Sequence, residues 1–144
     1  MTTGLFALAV AAIFTGAALY VSLVEQPARL MLDDRALLAE WKPAYKRGAA
    51  MQAPLALIGF LLGLVAWWHT AHPGFLIGAV GMIGPWPWTL FVIMPVNNRL
   101  METEIERAGP GSRALIVRWA TLHAVRTGLG AVATSAFLWA LMSR

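Results

Sequence analysis

The residues best suited to chemistry lie near the end of the chain, where an apolar stretch contains a histidine and an arginine. Trp119, His123 and Arg126 stand at i, i+4 and i+7, so they share one face if this stretch is helical. Histidine can take and give a proton near neutral pH, and arginine can stabilise a developing oxyanion. Because ionisable groups among apolar residues need a partner or a water-filled site, this face predicts a functional pocket.

Glu25 ends the first apolar stretch, where its negative charge meets the unfavourable C-terminal end of a helix dipole. Three cations could stabilise it. Arg29 lies one turn onward, and Arg126 and His123 lie at a comparable depth in the fourth stretch. We expect Glu25 to interact with Arg126 or His123 across the bundle, directly or through water, which would bring an acid, a base and a cation together.

Two amides complete the candidate site, since Asn97 and Asn98 follow the third apolar stretch at the same end of the bundle as Glu25. They supply hydrogen-bond donors and acceptors without charge. Structural roles stay open beside the functional one: Arg126 can extend along its helix towards the surface, and His123 can be a hydrogen-bonded core residue. The coincidence of these groups at one level favours a polar pocket.

The elements that position these residues are four apolar stretches of about 20 residues each, in a chain of 144 residues that is 59% hydrophobic and 12% charged. Such a stretch spans a bilayer as a helix, because backbone amides in lipid must be satisfied within the segment. We predict an all-α membrane protein with one domain, a bundle of four transmembrane helices at about 4–24, 49–69, 74–95 and 113–142. Met1 to Gly4 carries no basic residue, so we expect a retained first helix rather than a cleaved signal.

Three local patterns refine this bundle. The first loop carries apolar residues at helical spacing, which predicts a short amphipathic helix at the membrane interface: Leu30, Leu37, Leu38, Trp41 and Tyr45. Gly84-Pro85-Trp86-Pro87 places two prolines in mid-membrane and predicts a kink in the third helix. Ser112 can N-cap the fourth helix, which we expect to begin near Arg113.

Basic residues flank the apolar stretches unevenly. Nine of the 11 Lys and Arg residues lie in the first and third loops, while the second loop has none. The positive-inside rule therefore places these two loops in the cytoplasm and both termini outside, and we expect the bacterial inner (cell) membrane. The lipid bilayer is the predicted partner, nucleic acid is not expected, and a homo-oligomer stays open.

Metal and cofactor sites have little support in the residue pattern. The chain has no cysteine, and only one histidine lies within a predicted span, with no second ligand at metal spacing. No glycine-rich phosphate loop follows a strand. We therefore predict no metal site, and the pattern identifies no organic cofactor.

Four short motifs resemble the anthrone-oxygenase-like family of small four-helix membrane proteins: Glu25-Gln26-Pro27-Ala28-Arg29, Trp41, Pro95-Val96-Asn97-Asn98-Arg99-Leu100 and Trp119-x3-His123-x2-Arg126. Most members of that family have no assigned function. The resemblance covers nearly the whole chain and implies a monooxygenase-like oxidation of an activated aromatic C–H group, as in anthrone to anthraquinone. It also implies a hydrophobic aromatic or quinone-like substrate, dioxygen as co-substrate and no obvious cofactor.

Carried over by position, the resemblance implies catalytic roles for His123, Glu25 and Arg126, and substrate-binding roles for Arg29, Trp41, Asn97, Asn98 and Trp119. His123 or Glu25 would remove a proton from a phenolic substrate, Arg126 would stabilise the enolate, and the anion would react with dioxygen. Two other classes stay open: a small-molecule carrier or binding protein built on the broken third helix, and a non-catalytic subunit of a larger membrane complex. The working interpretation is an oxygenase whose polar pocket lies at the cytoplasmic end of the bundle.

Overall fold

The computed structural model describes residues 1–143 and consists of four long helices. They are α1, Thr2–Arg29; α2, Asp34–Thr70; α3, Pro73–Glu102; and α4, Pro110–Met142. Each is long and apolar enough to cross a membrane, which fits an integral membrane protein. A short 3₁₀ turn at Ile105–Arg107 lies between α3 and α4, and residues 1–143 contain no strand. The predicted all-α four-helix fold is confirmed.

The helices form a closed bundle in which α1 and α3 each pack against both α2 and α4. Small residues permit this close approach in the half of the bundle near the α2–α3 turn. A Cβ atom at Gly63 or Gly78 would collide with the ring of Phe137, which is fully buried between them. In lipid no hydrophobic force drives helices together, so their association depends on close packing, here of small residues against one large ring.

The first loop differs from the prediction, because its amphipathic residues are not a separate interfacial helix. All of them except Leu30, which follows α1, form the first turns of α2, and this helix continues without interruption through Pro43 and Pro54. Asp33 begins this helix by accepting a hydrogen bond at 2.9 Å from the backbone N–H of Ala36. The apolar face lies on protein instead of lipid: Leu37 and Trp41 are fully buried against the ends of α3 and α4.

Two cations hold together the end of the bundle that carries the α1–α2 and α3–α4 connections, which we call the charged end. Arg113 on α4 pairs with Asp34 and donates to the carbonyl of Leu30 at 3.0 Å. Lys42 on α2 donates to the carbonyl of Met101 in the last turn of α3 and to that of Thr103 just after it. These bonds satisfy backbone oxygens at two helix ends and close the bundle there.

The fourth helix begins at Pro110, earlier than the predicted start near Arg113. Proline is favoured at the first helical position, because its missing N–H would be unsatisfied there anyway. Ser112 is therefore inside the first turn, where its hydroxyl lies 3.0 Å from both the N–H and the carbonyl oxygen of Gly109.

The third helix is interrupted at Gly84, within the motif that predicted a kink. Regular helix ends at Ile83, resumes over Pro85–Trp88 and continues after a wide turn as Met94–Glu102. The two prolines of this motif cannot donate backbone hydrogen bonds, which weakens the α-helical hydrogen-bond pattern beside Gly84.

Two wide π turns, Val21–Glu25 in α1 and Thr89–Ile93 in α3, lie at matching places in the bundle. Each is followed two residues later by a proline, Pro27 or Pro95. A proline ring clashes with the carbonyl four residues earlier, which here belongs to the wide turn, and the extra residue in the turn relieves this clash. Both turns contribute residues to the site described next.

Candidate functional site

A small cavity near the charged end is lined by side chains from all four helices. Its volume is about 30 Å³, and six of the eight predicted site residues line it: Glu25, Arg29, Asn97, Trp119, His123 and Arg126. A cavity of this size has room for about two water-sized molecules. The structure therefore brings most of the predicted residues together, around a space too small for an aromatic ring system.

His123 is only 3% exposed and is oriented by two neighbours. Its ring stacks on Trp119 with centroids 4.9 Å apart, and its Nδ1 atom lies 3.4 Å from the hydroxyl of Ser22 on α1. Its Nε2 atom has no hydrogen-bond partner within residues 1–143, and the residue lines the cavity. The ring thus has one nitrogen engaged by the protein and one available for proton transfer.

Arg126 is a cation without a carboxylate partner among the described residues. Its guanidinium donates to Thr89 Oγ1 at 3.3 Å and to Gln52 Oε1 at 3.1 Å, and it lies 5.9 Å above the ring of Phe14. These contacts are neutral, so they orient the guanidinium without compensating its charge. Such a cation in an apolar span is suited to binding an anion.

Glu25 makes no direct ion pair with Arg126 or His123 in the described chain; it pairs instead with the local candidate, Arg29, one helical turn away. The distance is 2.7 Å from Arg29 Nη2 to Glu25 Oε1, and a second carboxylate, Glu40 on α2, lies 3.0 Å from Arg29 Nε. Arg29 is 4% exposed and its guanidinium lies 5.8 Å over the ring of Trp119. Burial under α2 places this cation between the two carboxylates, and Glu25 has no need of a distant one.

Several buried polar atoms at the cavity have no protein partner in the described chain. Asn97 is 1% exposed, and neither its amide oxygen nor its amide nitrogen makes a hydrogen bond. Trp119 Nε1 and Arg29 Nη1 are also without hydrogen-bond partners. Buried polar groups are nearly always satisfied, so these unpaired donors and one acceptor, on residues that line the cavity, favour a small polar occupant there.

Two predicted binding residues do not reach the cavity. Asn98 is exposed on α3, since consecutive helical residues point about 100° apart and Asn97 takes the inward position. Trp41 is fully buried behind the site, stacked on Tyr45 at 5.0 Å and edge-on to Trp119 at 5.7 Å. Trp41 thus supports a lining residue instead of lining the site itself.

Four further residues belong to the site, although they are not among the predicted site residues: Tyr45, Gln52, Thr89 and Ser22. Two of them carried a readable signal. Gln52 is the one strongly polar residue in its apolar stretch, and Thr89 is the one hydroxyl residue in the next. Polar residues within a membrane span cost free energy to bury and usually mark a functional or packing contact.

Within residues 1–143, no group of three His, Asp or Glu side chains could hold a metal ion.

A second cavity of about 180 Å³ adjoins the first between α2 and α3, beside the interruption at Gly84. Its walls are mostly apolar and include Ala53, Pro85, Trp86, Leu90 and Met94. It shares Tyr45, Ala49 and Arg126 with the polar cavity. The indole N–H of Trp86 donates to the carbonyl of Ala53 at 3.1 Å and so connects the two helices at this cavity.

Comparison of the chain with known proteins identifies a family. The family model for anthrone oxygenase matches residues 41–136, a range that includes Gln52, Asn97, His123 and Arg126. Anthrone oxygenase ptaC from Pestalotiopsis fici is 31% identical over 107 residues, which cover 63% of this chain and 74% of the relative. No solved structure matches the chain. The match over about two thirds of the chain and the similarity to this relative show that the protein belongs to the anthrone oxygenase family.

Proposed function

We propose that this protein is a membrane-embedded oxygenase that converts an activated methylene group of a hydrophobic phenol or anthrone-like compound into a carbonyl group. The observation that carries the proposal is one cavity holding both His123, with a ring nitrogen free of protein partners, and Arg126, a cation with no carboxylate partner in the described chain. A base and an uncompensated cation are what the formation of an enolate requires. Family membership supports the same reaction class.

The proposed reaction needs only the substrate and dioxygen. His123 Nε2 takes a proton from the methylene carbon, directly or through one water molecule, and the electron pair is delocalised through the conjugated ring onto the carbonyl oxygen opposite, as an enolate. Arg126 stabilises that oxygen. The carbon then bonds to dioxygen, the terminal oxygen takes the proton back from His123, and the hydroperoxide loses water. One oxygen atom remains as the new carbonyl, the other leaves in water, and dioxygen is the oxidant.

The other polar groups of the cavity would hold small reactants in place. Asn97 and Trp119 supply unpaired N–H groups that can bind the oxygen atoms of dioxygen or water. Glu25, the alternative base, is in an ion pair with Arg29, so in this proposal it positions Arg29 and the proton goes to His123. Trp41 keeps Trp119, and through it the stacked His123 ring, in place.

The test is oxygen uptake by the purified protein with a panel of anthrones and hydroquinones, followed by mass spectrometry after a reaction in ¹⁸O₂. We expect one labelled oxygen atom in the quinone product and one in water. Anthrones oxidise slowly without an enzyme, so heat-denatured protein and the Arg126→Gln variant provide the baseline. Uptake no faster than this baseline for the whole panel would contradict the oxygenase proposal.

We further propose that the charged end faces the cytoplasm, because nine of the 11 basic residues lie in its two connections or in the helix ends beside them. The chain has no cysteine, so single cysteines can be introduced without background. Arg107→Cys should react with a membrane-impermeant thiol reagent only from the cytoplasmic side, and His69→Cys only from outside. Arg107 has an 80% exposed side chain, and His69 lies in the last turn of α2 and is exposed. The opposite labelling pattern would reverse the proposed orientation.

A further inference from the structure

The two adjoining cavities differ in volume and in the polarity of their linings, so they suit different molecules. The polar cavity of about 30 Å³ can take about two water-sized molecules. The cavity between α2 and α3, which we call the lateral chamber, measures about 180 Å³. That is below the roughly 300–1,000 Å³ of pockets for drug-sized ligands, and it suits about two or three fused rings with one edge left outside.

The lateral chamber is mostly apolar, and its polar groups are those of Arg126 and of Tyr45 and Thr89. Pro85, Leu90 and Met94 supply much of the apolar lining, while Arg126 lies where the two cavities meet. The guanidinium has neutral partners only, Thr89 and Gln52. The charge complementarity of this chamber therefore favours a flat apolar molecule that carries one anionic oxygen at its inner edge.

The outer wall of the lateral chamber belongs to the surface that faces hydrocarbon. Leu90 is 54% exposed and Trp86 is 39% exposed, and both lie in the apolar middle of α3. Trp86 bonds through its indole N–H to a backbone carbonyl of α2, so the ring is fixed at the edge of the chamber. A hydrophobic molecule dissolved in the bilayer would reach the chamber without crossing water.

We propose that the lateral chamber binds the aromatic rings of the substrate, taken up directly from the bilayer, with its anionic oxygen on Arg126. Dioxygen and water occupy the polar cavity on the other side of the same arginine, next to His123. This assignment rests on the proposed oxygenase function for the identity of the small reactants. The binding of a planar phenol can be tested without any turnover.

The probe for this test is 2-hydroxyanthraquinone, a planar phenol whose ring carbonyls are already formed, so that it can bind without being oxidised. Its phenolate absorbs at longer wavelength than the neutral phenol. We expect the protein in lipid nanodiscs to bind it with the phenolate band present at a pH where the probe in empty nanodiscs is neutral. Arg126→Gln should abolish that band.

Filling the chamber should block the probe. Ala53→Phe should raise its Kd by about tenfold or more, because the new ring must move before the probe can bind. Ala50→Phe, on the exposed side of the same helix, is the matched control and should bind like the wild type. Leu90→Trp is a second filling variant at a half-exposed position that tolerates bulk, and Phe91→Trp, at 80% exposure, is its control.

The outcomes separate the chamber from the chemistry. Unchanged Kd values in both Ala53→Phe and Leu90→Trp, with native melting curves, would overturn the lateral chamber, and so would an unchanged kcat/KM for anthrones in those variants. Should Ala53→Phe melt early, Leu90→Trp decides. Probe binding that responds to both filling variants, together with no oxygen uptake on any anthrone, would leave the chamber standing and remove the oxygenase.

Discussion

Replacing His123 by asparagine should lower the turnover of an anthrone by about 10²-fold or more, the usual scale of general acid–base catalysis, while leaving the melting temperature nearly unchanged. Asparagine keeps a polar group beside Ser22 but cannot take a proton. The imidazole ring makes one long hydrogen bond at 3.4 Å and stacks on Trp119, and both interactions contribute only modestly to stability. The measurement is oxygen uptake at saturating anthrone beside a melting curve on the same preparation.

The control for this prediction is His69→Asn, which changes a histidine in the last turn of α2, outside both cavities. It should preserve both turnover and melting temperature. A structural histidine would show the reverse order of effects at position 123. If His123→Asn melts early and yet keeps full turnover per folded molecule, the catalytic role has to be abandoned.

Replacing Arg29 by methionine should lower the free energy of unfolding by about 3 kcal/mol, because it leaves two carboxylates close together without their cation. Glu25 and Glu40 flank this guanidinium at 2.7 and 3.0 Å, and the arginine side chain is 3% exposed. The two carboxylates keep 27% and 35% side-chain exposure, so the expected loss lies at the low end of the range for buried pairs. Methionine retains most of the apolar stem, so a change in packing contributes little.

The matched comparison is Arg107→Met, which breaks an exposed ion pair with Glu104 and should change stability by less than about 1 kcal/mol. Unfolding of both variants in a denaturing-detergent titration, followed by circular dichroism, gives the two free energies. Adding Glu25→Gln and Glu40→Gln to Arg29→Met should recover much of the loss, because the repulsion is then gone. Equal stabilities for the two single variants would show that Arg29 is not a structural centre of the charged end.

The residue pattern by itself determined the four helices and the apolar span of each, although α2 begins at Asp34, well before the predicted start at 49. Four apolar stretches long enough to cross a bilayer leave the backbone few alternatives to helix, because each segment must satisfy its own amides. The motif at Gly84 marked the interruption of α3 for a similarly local reason, the missing donors of two prolines. The shared face of Trp119, His123 and Arg126 also follows from helical spacing, and all three line the polar cavity.

Only the tertiary structure decided the partners and the depth of these side chains. Sequence spacing cannot tell whether Glu25 pairs along its own helix or across the bundle, and the packing of α2 over Arg29 settled this in favour of the local pair. The amphipathic pattern of the first loop fits an interfacial helix and a core helix equally well. Leu37 and Trp41 became core residues because the ends of α3 and α4 lie against them.

The division of the site into a polar cavity and an apolar chamber likewise depends on contacts between segments far apart in the chain. Gln52 and Thr89 meet Arg126 from two other helices, and Trp86 reaches the backbone of α2. No periodicity within one segment encodes such distances, since periodicity reports which face a residue occupies and not what lies opposite that face. The residue types that could do chemistry are therefore legible in the sequence, while the space in which they meet is a property of the packed bundle.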